Sequence, residues 1–396
     1  DIVHCRLLAP RDRLSVIGTL VGRYGKLTLT PKADFDLRSK SYWFMPSVEN
    51  CLPDEVEVLE LVQAMCEKGQ TGELVLDLTN DDAACYRITF FQKDCNKFTT
   101  GETIEHGRVG QGISAWPKTL CALFGPWFRA LEKRIVSQLP PGWFYGDLYT
   151  EADLHAHAMA VPEGTKVFEN DFSEFDSTQN NTSLGLECEL LAECGMPDWM
   201  VRLYWLQRSY WTLVAPDAGL RGCWKKHSGE PGTLLFNTVW NMVVVNACYS
   251  FSDAVLHVYK GDDSVVLCSA YQQHPDAAHL ITSCGLKLKV NFCQIGVFSH
   301  FIVAPGEGVV RDLLRTWGRM TEKNFSTPER SHDLSVAAAD FVKSVTSQDK
   351  ESLMVIVNSV YHRQPEGFFQ VIWGAIQSVA AGNADLTTYK LPILRV

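Results

Sequence analysis

The spacing of apolar residues along the chain predicts a mixture of helices and strands. Apolar residues recur at helical spacing in the stretches 56–67, 113–138, 184–191, 199–214, 274–283, 334–345, 351–361 and 367–380, and from residue 233 onward. Short apolar or alternating runs predict strands at 74–78, 87–97, 166–171, 256–260, 264–268, 285–290 and 297–304. No internal repeat is visible, and the pattern predicts an α+β fold.

The most informative of these runs is a predicted hairpin with acidic residues at its tip. Gly261-Asp262-Asp263 alone interrupts two strand-like stretches, which indicates a tight antiparallel turn. Glycine adopts the positive φ of such a turn, and aspartate tolerates it better than most residues do. Because two adjacent carboxylates repel each other, this tip favours a divalent cation.

A second pair of acids follows another predicted strand. Asp171 stands at the end of the strand-like run 166–171, and Asp176 follows after four intervening residues. Asp176, Ser177 and Thr178 are candidate N-caps for the helix that comes next. Capping would explain Asp176, whereas Asp171 has no such local role.

A polar stripe marks the predicted helix that begins at Thr233. Thr233, Asn237 and Asn241 are spaced i, i+4 and i+8, so they share one face of a helix that is otherwise apolar. Buried amides need hydrogen-bond partners. Either core hydrogen bonds or contact with a ligand would satisfy this stripe, which follows the glycine-rich loop that carries Ser228.

The charge balance does not by itself indicate a nucleic-acid-binding protein. The 396-residue chain has a formal net charge of −10. It can bind a polyanion only if basic residues are gathered into a channel. Lys93, Lys97 and Arg108, which stand in or beside a glycine-rich connection, are candidates to line such a channel, although a solvated basic loop explains them equally well.

Composition argues against several other classes of protein. The 13 cysteines are an odd number without a Cys-x-x-Cys pair, which disfavours a disulfide framework and a zinc ribbon. His155-Ala-His157 lacks a third ligand beside it, so zinc is not expected there. No apolar run reaches the length of a membrane span, and direct membrane insertion is not expected. The chain begins with Asp1, which indicates a piece of a longer polypeptide.

The order of these features predicts one site. An antiparallel sheet could carry Asp171 and Asp262 to the same edge, with Asp263 beside them, as ligands of Mg²⁺ (with Mn²⁺ as an alternative). Two such ions can activate a 3′-hydroxyl and stabilise a pyrophosphate leaving group. The amide of Asn237, with Asp176 and Ser228, could read a ribose 2′-hydroxyl.

The motifs carry a family resemblance. Asp171-x-x-x-x-Asp176, Ser228-Gly-x-x-x-Thr233-x-x-x-Asn237 and Gly261-Asp262-Asp263 resemble motifs A, B and C of the RNA-dependent RNA polymerases of positive-strand RNA viruses. The sequences around Asp171 and around Lys93 resemble those of the polymerases of hepeviruses, the hepatitis E virus group. The specific resemblance runs from about residue 62 to residue 324.

This resemblance implies a right-hand polymerase with three regions: fingers at 1–165, a palm at 166–310 with a fingers insertion near 180–227, and a helical thumb at 311–396. The palm would be an antiparallel sheet packed on helices, similar to an RNA-recognition motif. Residues 93–115 match motif F, which contacts the triphosphate, and residues 298–305 match the primer grip. Lys287 or Lys289 would be the general acid, and Lys289 fits the family pattern better.

The resemblance also implies partners and a location. The substrates would be nucleoside triphosphates, and RNA would be both template and product. In the family the polymerase is the C-terminal part of a replication polyprotein with methyltransferase and helicase segments. We therefore expect the host cytoplasm, with membrane-associated replication complexes reached through partners.

Three alternatives remain open at the level of sequence. A non-catalytic RNA-binding domain that has kept the fold is disfavoured, because unpaired carboxylates beside phosphates would weaken binding. Template-independent terminal transfer would use the same site. A reverse transcriptase is disfavoured because motif C reads Lys260-Gly-Asp-Asp, and because Asn237 favours ribonucleotides.

Overall fold

The computed structural model describes residues 5–7, 13–24, 87–92, 97–99, 112–146, 148–215, 218–322, 328–346, 350–361, 367–382 and 393–394. The predicted helix at 56–67, the predicted strand at 74–78, Lys93 and Arg108 lie outside these residues. Lys97 is described only as part of a strand backbone.

The helices of the described residues are α1 (Arg13–Tyr24), α2 (Lys118–Gln138), α3 (Glu151–Met159), α4 (Phe175–Thr178), α5 (Asn181–Glu193), α6 (Asp198–Ser209), α7 (Thr233–Cys248), α8 (Ala277–Ser283), α9 (Leu313–Glu322), α10 (Pro328–Thr346), α11 (Lys350–Val360) and α12 (Phe368–Ala380). The strands are β1 (Cys5–Leu7), β2 (Arg87–Gln92), β3 (Lys97–Thr99), β4 (Gly112–Ala115), β5 (Trp143–Tyr145), β6 (Lys166–Phe172), β7 (Trp211–Ala215), β8 (Ala218–Gly222), β9 (Tyr249–Ser252), β10 (Leu256–Lys260), β11 (Asp263–Cys268), β12 (Ala270–Gln273), β13 (Leu288–Cys293), β14 (Gly296–Phe298), β15 (Phe301–Ala304), β16 (Gly308–Arg311) and β17 (Ile393–Leu394).

A five-stranded sheet with the order β13-β6-β11-β10-β5 forms the centre of the fold. All of its neighbouring strands are antiparallel except β10 and β5, which run parallel. The predicted hairpin is confirmed, because β10 and β11 pair with only Gly261 and Asp262 between them. Gly261 has a φ of 60°, the left-handed conformation that favours glycine at a tight turn.

Helix α7 packs against the hairpin strands β10 and β11 and forms much of the main core. Nearly every side chain on this helix is buried, which agrees with its almost continuous apolar sequence. Its two buried asparagines, Asn237 and Asn241, therefore need partners inside the protein or from a ligand.

Four smaller sheets are also formed by the described residues, and two of them are the β12-β9 pair and the three-stranded sheet β17-β1-β3. A four-stranded sheet has the order β4-β2-β7-β8, and a three-stranded sheet has the order β14-β15-β16. Residues of β15 and β16 share a second core with helices α9 to α12, so the C-terminal helices form a cluster of their own. This helical C-terminal part agrees with the helices predicted at 334–345, 351–361 and 367–380.

Three local predictions were wrong. The stretch 113–115 belongs to strand β4, and helix α2 begins only at Lys118, after Pro117. Residues 211–214 form part of strand β7 rather than the end of a helix. The single strand predicted at 297–304 is a hairpin of β14 and β15, whose turn contains Ser299 with a φ of 56°.

The predicted helix cap was also placed at the wrong residue. Asn180 is the N-cap of α5, and its side chain accepts hydrogen bonds from the backbone N–H groups of Thr182 and Ser183. Asp176 instead lies within the short helix α4. Its carboxylate is therefore available for another role.

The boundaries predicted for fingers, palm and thumb remain predictions. The central sheet includes β5, whose residues precede the predicted palm boundary at residue 166. No helix within the described ranges is both long and apolar enough to cross a membrane.

Candidate active site

Three charged residues predicted for catalysis lie side by side on adjacent strands. In the central sheet Asp263 on β11 pairs with Asp171 on β6, and Asp171 pairs with Lys289 on β13. Directly opposed residues on neighbouring strands have Cβ atoms about 5 Å apart. All three residues line one open cleft, together with Glu169, Asn170, Ser264, Val290, Asn291 and Val297.

Helix α7 holds the acidic turn through its polar face. The backbone N–H of Gly261 donates to Thr238 Oγ1 at 2.8 Å. Asn241 Nδ2 donates to the carbonyl oxygens of Gly261 at 3.1 Å and Asp263 at 3.0 Å. These bonds fix the backbone on both sides of Asp262, so the orientation of the turn is set by a buried helix.

The same asparagine connects the turn to the strand that carries Asp171. Asn170 Nδ2 donates to Asn241 Oδ1 at 3.3 Å and to Ser264 Oγ at 3.2 Å. Asn170, Asn241 and Ser264 are all buried. The two acidic segments therefore share one buried hydrogen-bond network, which includes two of the residues that line the cleft.

The carboxylates at this edge destabilise one another's charged forms. Asp262 is exposed at the turn, but the surrounding protein removes part of its hydration, and this desolvation raises its pKa to about 6. The negative charges of Asp263, Asp176 and Asp171 raise the pKa further. Burial and the charge of Asp171 also raise the pKa of Asp263, although Arg315 and Lys260 oppose the increase. A cation bound among these groups would relieve their repulsion.

The donor set fits a hard divalent cation. The groups are carboxylate oxygens, which Mg²⁺ and Mn²⁺ prefer over nitrogen or sulfur. Within the described part of the chain no three His, Cys, Asp or Glu side chains converge as a closed metal site. Mg²⁺ is commonly held by one or two carboxylates together with substrate phosphates and water, so an open arrangement of acids is compatible with it.

Asn237 and Asp176 meet as predicted. Asn237 Nδ2 donates to Asp176 Oδ1 at 2.6 Å. The carbonyl oxygen Oδ1 of Asn237 is buried and has no hydrogen-bond partner among the described residues. Because buried polar atoms are almost always paired, this oxygen is an acceptor available to a ligand hydroxyl.

Ser228 and Thr233 lie in and just after the loop that precedes α7. Ser228 Oγ donates to the carbonyl oxygen of Gly112 at 3.3 Å and accepts from the backbone N–H of Ser114 at 3.2 Å. Thr233 Oγ1 donates to the carbonyl oxygen of His227 at 2.7 Å. Both hydroxyls therefore attach the loop to the protein, and their predicted contact with substrate stays a prediction.

The two candidate lysines differ in their surroundings. Lys289 is exposed and lines the cleft beside Asp171 and Asp263. Lys287 Nζ instead lies 3.8 Å from Glu174 Oε2, outside the cleft. The geometry therefore favours Lys289 as the lysine that can reach a ligand near the acids.

Sequence reasoning missed several residues that shape the site. Glu169, two residues before Asp171 on β6, accepts hydrogen bonds from the backbone N–H of Val297 and from Asn291 Nδ2. It thereby attaches the β14–β15 hairpin and β13 to the strand that bears Asp171. The sequence shows that Glu169 and Asp171 point to the same face of the strand, because they are two residues apart. The hydrogen-bond partners of Glu169 could not be predicted, because they depend on pairing between distant strands. Asn170, Thr238 and Ser264 gave no separate signal.

Comparison with known proteins gives a family match over most of the chain. The model of a family described as RNA dependent RNA polymerase matches residues 55–383. The non-structural polyprotein pORF1 of avian hepatitis E virus is 55% identical over 397 aligned residues, which cover 100% of this chain and 26% of the polyprotein. The corresponding protein of a genotype 1 hepatitis E virus from Myanmar is 54% identical, with coverage of 100% and 23%. The chain thus spans about a quarter of the length of these relatives.

Solved structures agree at the level of the fold. The RNA-dependent RNA polymerase of a human picorbirnavirus aligns with a TM-score of 0.58 and 14% identity, covering 95% of this chain and 82% of that one. Its insertion loop deletion mutant gives a TM-score of 0.54, also at 14% identity, with coverage of 97% and 85%. The predicted right-hand α+β fold is confirmed by this likeness.

Proposed function

The chain belongs to the RNA-dependent RNA polymerase family. From this premise we propose that it transfers nucleoside monophosphates from NTPs to the 3′-hydroxyl of a growing RNA, and that the reaction takes place at the carboxylates where strands β6 and β11 meet the acidic turn. The resemblance to the hepevirus enzymes is confirmed by the identity of 54–55% to hepatitis E virus polyproteins. The observation that carries the proposed site is the row of Asp263, Asp171 and Lys289 across three paired strands.

In this proposal the carboxylates hold divalent cations. Asp171 and Asp262 would be the principal ligands, and Asp263 would assist at the second ion. Polymerases of this family depend on divalent metal, and Mg²⁺ fits the oxygen ligands here, with Mn²⁺ as an alternative. When bound, the two ions would make the 3′-hydroxyl a better nucleophile and neutralise charge on the phosphates.

Protein groups would perform the remaining tasks. Lys289, beside Asp171, would donate a proton to the departing pyrophosphate, which becomes more basic as its bond to the α-phosphate breaks. Lys93, Lys97 and Arg108 would contact the triphosphate, by family resemblance. The hydrogen-bonded turn at Gly261 keeps Asp262 and Asp263 in fixed positions while charge moves.

Selection of ribonucleotides would depend on Asn237. Its amide is held by Asp176, and its unpaired buried oxygen can accept a hydrogen bond from a ribose 2′-hydroxyl. A deoxyribonucleotide would leave that oxygen without a partner. Ser228 and Thr233 would contribute by fixing the loop beside it.

The wider role follows from the relatives. The matched proteins are larger polyproteins, so the chain would work beside other segments of such a polyprotein on a positive-strand RNA genome. The family resemblance implies that these segments would include a methyltransferase and a helicase. Its location would be the host cytoplasm, in membrane-associated replication complexes reached through those partners.

A nucleotide-incorporation assay tests the proposal. Purified chain, template RNA, Mg²⁺ and labelled UTP should give a labelled product, whereas Asp171→Ala and Asp262→Ala should reduce incorporation to background without loss of RNA binding. Asp276→Ala is the matched control, because Asp276 is exposed and its side chain caps no helix. Incorporation by either site variant at the wild-type rate would exclude the proposed site, and activity that persists without template would indicate terminal transfer.

A further inference from the structure

A cluster of four charged side chains is buried next to the loop that leads into α7. Arg208, Lys226, Glu187 and Glu230 have side-chain exposures between 0% and 6%. Charged side chains are seldom buried so completely, and each must then be paired. The cluster joins helices α5 and α6 to the β8–α7 loop, residues 223–232.

Direct ion pairs link the cluster. Arg208 Nη1 lies 3.1 Å from Glu187 Oε2 and 3.0 Å from Glu230 Oε1. Lys226 Nζ lies 2.7 Å from Glu187 Oε1. Tyr204 Oη donates to Glu187 Oε2 at 2.6 Å and lies 3.2 Å from Glu230 Oε1.

The guanidinium of Arg208 also holds the β8–α7 loop by hydrogen bonds to the backbone of the loop. Its Nη2 donates to the carbonyl oxygen of Trp224 at 3.1 Å, and its Nε donates to that of Lys225 at 3.2 Å. In return the backbone N–H of Trp224 donates to the carbonyl oxygen of Arg208 at 2.8 Å. Trp224 has a φ of 67°, a left-handed conformation that is uncommon for a tryptophan and that these bonds maintain.

The opposite side of the β8–α7 loop is fixed against β4. The backbone N–H of Gly229 donates to the carbonyl oxygen of Ser114 at 3.1 Å. A Cβ atom on Gly229 would lie 2.7 Å from that same oxygen, so only glycine permits this approach. Trp116 Nε1 donates to Nδ1 of the buried His227 at 3.2 Å. The loop is thus attached on two sides.

This doubly attached loop leads directly into the first turn of α7, which with Ser228 carries the residues proposed to contact the ribose, here called the ribose-reading residues. Ser228 lies in the loop, Thr233 begins α7, and Asn237 follows one turn later. Glu230 Oε2 accepts from the backbone N–H of His227 at 3.2 Å, so the buried charges also set the local turn. A displacement of the loop would move the first turn of α7 relative to Asp176.

We propose that this buried network positions the ribose-reading end of α7, with Arg208 and Lys226 as its positioning residues. The inference rests on the proposed polymerase function. Among the described residues no ion pair or hydrogen bond joins the four charged side chains to the acidic turn or to the cleft beside Asp171, so the effect of the network should fall on substrate selection. Arg208 acts through the geometry of its guanidinium, which no other side chain reproduces, and not through charge alone.

The test is Arg208→Lys, which keeps the buried positive charge but loses the bonds to the Trp224 and Lys225 carbonyl groups. We expect the preference for UTP over 2′-deoxy-UTP to fall about tenfold and the KM for UTP to rise, with kcat at saturating UTP within about twofold of wild type. Tyr204→Phe is the matched control. It removes hydrogen bonds from the same cluster without touching the loop backbone, so it should lower thermal stability and leave the preference unchanged.

A second variant serves if Arg208→Lys does not fold. Glu187→Gln combined with Lys226→Met removes one buried charge of each sign and releases the loop from α5, and it should also lower the preference for UTP. A folded variant with wild-type preference would overturn the inference while wild-type incorporation still supported the proposed function. If wild-type chain incorporates no nucleotide under template direction, the proposed function itself fails.

Discussion

Replacement of Asn241 by alanine tests how the acidic turn is held. Asn241 is fully buried, and its side chain takes part in three hydrogen bonds, two to carbonyl groups of the turn and one from Asn170. Asn241→Ala would leave the Gly261 and Asp263 carbonyl oxygens without this donor. Each of these two buried groups left unpaired costs about 1 to 3 kcal/mol, so we expect a loss of roughly 2 to 6 kcal/mol in the free energy of unfolding.

The same change should weaken catalysis in a characteristic way. Without Asn241 the turn keeps the hydrogen bond from Gly261 to Thr238 and the pairing of β10 with β11 but loses two bonds to its carbonyl groups, so the orientation of Asp262 and Asp263 is less firmly fixed. We expect kcat to fall at least about tenfold and the Mg²⁺ concentration for half-maximal activity to rise, since displacements of about 1 Å can cost a hundredfold in rate. Urea unfolding and Mg²⁺ titration of single-nucleotide incorporation measure the two effects.

Asn246→Ala provides the matched control on the same helix. Asn246 Nδ2 donates to the Met242 carbonyl oxygen and to Tyr259 Oη, and it does not touch the turn. It should reduce stability by about 1 kcal/mol and leave the Mg²⁺ requirement unchanged. If Asn241→Ala behaves like Asn246→Ala in the Mg²⁺ titration, the idea that Asn241 of α7 holds the acidic turn in its active orientation is refuted.

The remaining predictions concern substrate choice, pH and the C-terminal helices. Asn237→Ala should lower the preference for UTP over 2′-deoxy-UTP at least about tenfold in competition assays, because it removes the amide oxygen proposed to accept the hydrogen bond from the 2′-hydroxyl; an unchanged preference would remove Asn237 from that role. Burial lowers the pKa of His257 to about 4 in the folded protein. Below pH 6.5 the unfolded state therefore binds a proton at His257 more readily than the folded state does, and the free energy of unfolding should fall by about 2 kcal/mol between pH 6.5 and pH 5. His257→Phe should lose most of this pH dependence in urea unfolding, and an equal dependence would contradict the assignment. Tyr361→Phe removes a 2.6 Å hydrogen bond to the buried Asp312, which should cost about 1 to 2 kcal/mol by the same method; no change in the urea midpoint would show that the bond is not needed.

Local patterns were sufficient to predict the elements that bear the acids. The hairpin at Gly261, the strand with Asp171 and the helix with Asn237 each carry a strong signal within about fifteen residues, because side-chain periodicity reports directly on the local backbone. The proximity of Asn237 and Asp176 was predicted from the order of the motifs and not from local periodicity, and the structure shows a hydrogen bond between them. The polar stripe on α7 was also visible, and one of its members, Asn241, holds the turn.

The register between distant strands could not be derived in this way. The pairing of Asp171 with Lys289 depends on how β13 lies beside β6, and a shift of one residue would place the lysine on the other face. The strand at 211–215 was mistaken for helix because its apolar residues continue the spacing of the preceding helix. Arg208 offered no signal, since an arginine on a helix is normally exposed, and its burial requires acids that come from two other segments.

Template-directed RNA synthesis is the activity that the proposed function requires of this chain. Purified chain would be given Mg²⁺, an RNA template of defined mixed sequence and three of the four NTPs. We expect extension that stops at each template position complementary to the missing NTP, resumes when that NTP is added, and is absent with Asp262→Ala. Products whose length does not follow the template, or unchanged synthesis by Asp262→Ala, would contradict the proposed function.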